Sequence, residues 1–537
     1  MKKVVSIIAI ISAIAFSSCV KSQFADAYAD PSKVSSTTVE LQYAGFLSSN
    51  LSYVMYNYWD YFVDYQNTVL PWTQVTPIIN NSGRFIPGVQ SESDVWNNYY
   101  GFMAQYKEIL KLNKTLSAND QAAKRIYIIT ATIYYYDMTQ KIVDLFGDIP
   151  FSEAGLLSTN GGNYQASNAK YDAAATIYTN MLDDLKGFAD ELNTISVPAV
   201  VSSVVKVQDF VNHGDLKKWK MYCNSLRLRL LTRVSGVASF QSRVNSEIAG
   251  MLGNPTSYPL ILSYSDNIRI TVTNNTVSSV NDGTGTGASS AFYTGLIGWG
   301  SADRAGKVMI DLMNNNSDPR LRAIFEPGAS ATPAGTYAGL DPSLPSTSQT
   351  QSTYVATISR YNRSTLTQND FLPGMLINAA EVNLMLAEYY LKAGQDASAK
   401  SAYEAGITQS VNFYYWVRTL SNDNTAGPLT PLGANEISNY LVSNDISWTN
   451  ASTNSQKLNL IGTQKWINYN VLQPLECWAE VRRLKSPVLN FIHDTGVQQV
   501  PPTRWLYPVD EHTFNAANYQ AVAANDNFTT KIFWDVN

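Results

Sequence analysis

Histidine is nearly missing from this chain, with three in 537 residues, and cysteine is equally scarce. His213, His493 and His512 have no ligand-type partner at i+3 or i+4, which argues against a helical metal site. Asn422-Asp423-Asn424 lacks the spacing and closing glutamate of a calcium loop and reads as a turn. The nucleophile elbow, the P-loop and the dinucleotide fingerprint are also missing, so neither cofactor nor metal is expected. Charged residues make up 15% of the sequence, against about 25% in average soluble domains. The formal charge is −5, and without any basic run nucleic acid is a poor partner. No segment reaches 18 consecutive apolar residues, the least that a spanning helix needs.

What is abundant is tyrosine, at 33, with 11 tryptophans. With so little charge, this composition predicts a polar but uncharged surface suited to hydroxyl-rich ligands. The N-terminus is equally distinctive. Lys2 and Lys3 precede an apolar run from Val4 to Phe16 and then Ser17-Ser18-Cys19. That is a signal peptide over residues 1–18, with a lipobox that makes Cys19 the acylated first residue of a lipoprotein. Residues 19–34 are polar and aperiodic, as in a tether. Residues 35–537 carry no dividing linker and read as a single domain. Cys223 and Cys477 lie at core-like positions in helical patterns and are expected to be buried thiols rather than a disulfide.

The segment Ala379–Ser410 organises the domain. Ala387, Tyr390, Gly394, Ala399, Tyr403 and Gly406 mark two antiparallel helices, with Gly394 at a C-cap and small residues for close approach. The aromatic steps and the glycine turn are those of a tetratricopeptide hairpin, which needs neighbours to bury its core. Helices are predicted over 36–65, 95–112, 120–146, 171–192, 215–234, 302–314, 455–469 and 474–485. Those over 120–146 and 171–192 form a second candidate hairpin. In 215–234 the stripe is Trp219, Cys223, Leu226 and Leu230; Arg227, Arg229 and Arg233 fall off it and read as a solvated face rather than a phosphate site. Ile268, Ile270 and Val272 alternate as a strand, followed by a long Gly/Ser/Thr-rich loop. From Trp505 onward the chain reads as mostly irregular, packing back on the surface. The predicted fold class is mostly α, tetratricopeptide-like hairpins with long inserted loops and a few short strands.

GDIPFSEA (147–154), DLKKWKMYCNSLRLRL (215–230), SDPRLRAIF (317–325), AEVNLMLAEYYLKAG, TQKWI (463–467), ECWAEVRRLKSP (476–487) and YPVDE (507–511) occur in this order. Together with the lipobox they resemble the SusD/RagB outer-membrane lipoproteins of Bacteroidetes, over nearly the whole mature chain. The resemblance implies a nutrient-binding, cell-surface protein, anchored by lipid in the outer membrane. It implies a TonB-dependent (SusC-like) transporter as partner and a glycan or oligosaccharide as ligand. The helical-repeat side is expected to meet the transporter, with the inserted loops facing the ligand.

A neutral sugar needs flat aromatic platforms flanked by amides and hydroxyls. Trp72 among prolines and asparagines, Trp96 beside Asn97-Asn98-Tyr99, and Tyr293 with Trp299 are the ligand-binding candidates; burial in the core is the alternative for each, favoured for Trp96 by its helical spacing. Two other functions stay open. A helical glycoside hydrolase leaves no linear signature, and Asp60, Asp64, Asp144 and Asp148 would be its natural carboxylates. An adaptor that binds only protein is the other.

Overall fold

The structure, a computed structural model, describes residues 37–272, 288–297 and 303–537. The signal peptide, Cys19, the tether and Trp299 lie outside the described residues. Nine helices carry the core: α1 Val39–Ser49, α2 Val89–Lys114, α3 Arg125–Phe146, α4 Ala174–Glu191, α5 Leu216–Arg233, α6 Ala379–Lys392, α7 Asp396–Leu420, α8 Asn454–Tyr469 and α9 Pro474–Leu484. Shorter helices and three antiparallel ladders of two strands decorate them; Ile268–Ile270, for example, pairs with Gly374–Ile377. The fold is therefore mostly α, built on helical hairpins with inserted loops. No helix among the described residues is long and apolar enough to cross a membrane.

The α6–α7 hairpin forms as its sequence demands. Gly394 has φ +73°; its N–H donates to Leu391 O and that of Gln395 to Tyr390 O, the paired bonds of a glycine-terminated helix. The helices touch where residues are small: a Cβ at Gly406 would sit 2.7 Å from Leu384 Cγ. Helix α8 starts at a capping box of Thr453 and Gln456, and α9 at Pro474 in the first turn.

Several expectations need correction. The predicted helix over 36–65 is capped by Thr38, but it breaks at Asn50 and resumes as Leu51–Val54 and a π-helix Asp60–Tyr65. Helix α4 packs more extensively on α5 than on α3, so the second hairpin has a different partner. Tyrosine is largely a core residue: Tyr43, Tyr99, Tyr127 and Tyr403 are fully buried. The C-terminal stretch penetrates the core, where Trp534 Nε1 donates to Asp144 Oδ1 at 2.7 Å. Both thiols are free and buried as expected, and burial pushes the Cys223 thiol up to about 12.

The largest correction concerns the α5 arginines, none of which is solvated. Arg227 pairs with Glu247 at 2.7 Å. Arg229 bridges Glu381 at 2.6 Å and Asp137 at 3.0 Å, while Arg233 meets Glu476 and Glu480. Lys465 and Arg483 continue the network to Glu388 and Glu480. One buried ionic layer thus ties α3, α5, α6, α8 and α9 together.

Candidate functional site

Trp72 shows how the inserted loop after the π-helix is held. It is 1% exposed, its ring lies 5.5 Å from that of Trp478, and its Nε1 donates to Arg84 O at 2.9 Å. The loop composition had suggested an exposed platform; instead the loop folds over the indole, which buries its apolar area and satisfies its N–H. Trp72 therefore offers no face to a ligand and acts as the loop's underside anchor. Trp96, a ligand candidate for which helical spacing favoured burial, is in the core: at 4% exposure it packs on Tyr100, Phe146 and Tyr507 and offers no platform. Tyr293 is half-buried; its hydroxyl accepts from Arg360 Nη2 at 2.7 Å and the guanidinium carbon sits 5.5 Å from its ring centroid.

The loop that Trp72 supports is clipped to a second insert some 270 residues away. Asn80 Nδ2 donates to Pro342 O at 2.7 Å and to Leu344 O at 2.8 Å. The fully buried Gln349 returns the contact, accepting from Asn80 N at 2.7 Å and donating to Ile78 O at 3.0 Å. Arg84 is fixed by Asp494 at 3.5 Å and by Ile492 O at 2.6 Å. Between these inserts runs a groove of about 530 Å³. One wall supplies Asn67, Asn81, Ser82 and Arg84, the other Thr350 and Thr353 of the helix Ser346–Tyr354, and the floor includes Pro71, Ile78 and Ile86. Amides and hydroxyls around apolar patches can hydrogen-bond hydroxyl groups while packing on C–H faces. Arg84 is the one charged residue of this lining.

A larger cleft of about 1,000 Å³ lies between α8, α9 and the C-terminal tail. Its lining holds Lys392, Asp445, Arg483 and Lys485, and its one tryptophan, Trp534, is 1% exposed. It thus offers several charges, and neither lining presents an exposed aromatic face. The smaller groove, with a single charged side chain in its lining, is the better match to a neutral ligand.

The suspected hydrolase carboxylates do not converge on either space. Asp144 is buried against Arg233 and Trp534, and Asp148 Oδ1 accepts from Ala174 N at the start of α4. Asp60 and Asp64 are buried on the inner side of the π-helix, where burial pushes their carboxyls up to about 7 and about 9. The space beside Asp60 is about 40 Å³, room for water but not for a sugar ring. No cluster of metal-ligating side chains occurs among the described residues.

A family profile described as SusD-like, "Starch-binding associating with outer membrane", matches residues 35–508. The chain superposes on a chitin-binding protein with a TM-score of 0.71 and 23% identity, covering 92% of this chain and all of that one. A SusD-like protein from Bacteroidetes gives 0.71 at 20% identity, covering 93% and 100% of the two chains. A SusD homologue from Bacteroides fragilis NCTC 9343 gives 0.70 at 18%, again covering 93% and 100%. At such identities the superpositions speak for the fold. No curated protein matches the chain in sequence.

Proposed function

We propose that this chain, which belongs to the SusD-like family of outer-membrane proteins, captures a neutral glycan and passes it to a TonB-dependent transporter. The groove carries this reading: it pairs amide and hydroxyl donors with apolar walls, holds a single charged side chain, and lies between two inserts clipped to each other. The name of the related chitin-binding protein and the description of the family point the same way. The placement of Asp60, Asp64, Asp144 and Asp148, none of which is in the groove lining, supports binding without hydrolysis. Titration with maltoheptaose, chitohexaose, xylohexaose and mannohexaose should give saturable binding of at least one, with no reducing ends released. Binding to none of the four, or release of shorter products, would contradict it.

Cys19, at the end of the apolar leader, is the proposed lipid anchor, and the face of α6 and α7 the proposed transporter contact. Full-length protein should sediment with membranes and incorporate labelled palmitate. Both properties should vanish in Cys19→Ala, and equal labelling of the variant would remove the anchor.

A further inference from the structure

From the outer side of the π-helix we infer a second contact for the same ligand: an aromatic track, led by Trp59, that extends the groove and makes the protein select long oligosaccharides over short ones. The inference rests on the groove reading above and deepens it. Trp59 is 50% exposed, although an indole of this size is normally covered. Its ring is held in place, since Nε1 donates to Asp94 Oδ2 at 2.8 Å and Gln90 Nε2 holds the other oxygen of that carboxylate at 2.7 Å. Beside it the half-buried rings of Tyr58 and Phe62 stack at 4.9 Å with an interplanar angle of 17°.

The helix type aligns this cluster with the groove. Gln66 N–H donates to Tyr61 O, five residues back, so the turn is wider than in an α-helix and residues four apart stay on one side. Trp59, Val63 and Asn67 follow that spacing; none is buried, whereas Asp60, Tyr61, Asp64 and Tyr65 face inward. Asn67 already lines the groove. Trp59 therefore lies on the same side of the helix as Asn67 of the groove wall, about two turns away.

A fixed ring with polar groups at its edge suits the C–H face of a pyranose, whose hydroxyls can reach Asp94 and Gln90. A chain filling the groove and continuing past Asn67 would reach Trp59, whereas a short one would not. That placement on the Asn67 side of the helix favours a polymeric sugar over a protein partner on this face.

Wild type, Trp59→Ala and Trp59→Phe should be titrated with maltoheptaose, chitohexaose, xylohexaose and mannohexaose and with the corresponding trimers. The expected result is that the longer chain binds wild type about tenfold more tightly than its trimer. Trp59→Ala should lose that advantage without changing trimer affinity, Trp59→Phe should keep part of it, and thermal midpoints should agree. An unchanged preference for long chains in Trp59→Ala would overturn the track while leaving the groove reading intact. Equal weakening of trimer and longer chain would place Trp59 inside the groove site and also overturn it. Failure of all four sugars to bind wild type would remove both the groove reading and the track.

Discussion

Glu388→Gln is expected to lower the unfolding free energy by about 3–5 kcal/mol, the range for removing one partner from a buried ionic cluster. Glu388 is 1% exposed. It accepts two hydrogen bonds from Arg483, both at 2.6 Å, one from Lys465 at 3.1 Å and one from Lys392 at 2.8 Å. Neutralising it leaves Arg483 and the fully buried Lys465 with Glu480 as their remaining carboxylate. The uncompensated positive charge sits where α6, α8 and α9 meet, on side chains that are almost fully buried. A shift in the denaturation midpoint equivalent to less than about 1 kcal/mol would show that the layer relaxes around the loss.

The same residue sets a pH dependence. Burial alone would raise the Glu388 pKa, but Arg483, Lys392 and Lys465 outweigh it and hold the carboxylate well below its ordinary value of 4.5. A group depressed by folding stabilises fully above its unfolded value, and that contribution fades as pH falls through the folded one. The stability difference between wild type and Glu388→Gln should therefore be constant from pH 6 to 8 and shrink below about pH 4.5. Asp60 and Asp64, whose values are raised instead, act in the opposite sense in both proteins and cancel in the comparison.

Local rules made parts of this architecture legible in the sequence. Gly394, Pro474 and Thr38 each solve a helix-end problem within a few residues, so their places could be read directly. Arg229 and Arg233 could not be read that way. They fall off the apolar stripe of α5, but α5 is covered on several sides, and their carboxylate partners lie on α3, α6 and α9, far away in sequence. Trp72 misled for a related reason: proline and asparagine around it suggest an open loop, yet that loop closes over the indole and leaves its backbone carbonyl to satisfy the N–H. The loop after the π-helix and the Ser/Thr-rich segment near residue 350 were each recognisable as inserts. Their union into one groove depends on Asn80 and Gln349, a pairing with no sequence signal. Trp59 was hidden inside what read as one helix over 36–65, because the break after Asn50 and the change to a π-helix at Asp60 have no simple compositional mark.

Thr350→Trp should abolish most glycan binding without altering the fold. Thr350 is exposed on the helix Ser346–Tyr354 and lines the groove; its hydroxyl bonds only within that helix, to Ser346 O at 2.8 Å. An indole there occupies a large part of a 530 Å³ space and displaces ligand atoms, so a loss of tenfold or more in affinity is expected, at least about 1.4 kcal/mol. The matching control is Asn459→Trp, which fills the larger cleft by α8. The decisive measurement is calorimetric titration of wild type, Thr350→Trp and Asn459→Trp with whichever of maltoheptaose, chitohexaose, xylohexaose or mannohexaose binds. Loss of affinity in Thr350→Trp alone, at an unchanged thermal midpoint, is the result predicted; full affinity in Thr350→Trp, or loss in Asn459→Trp instead, would contradict the assignment of the groove.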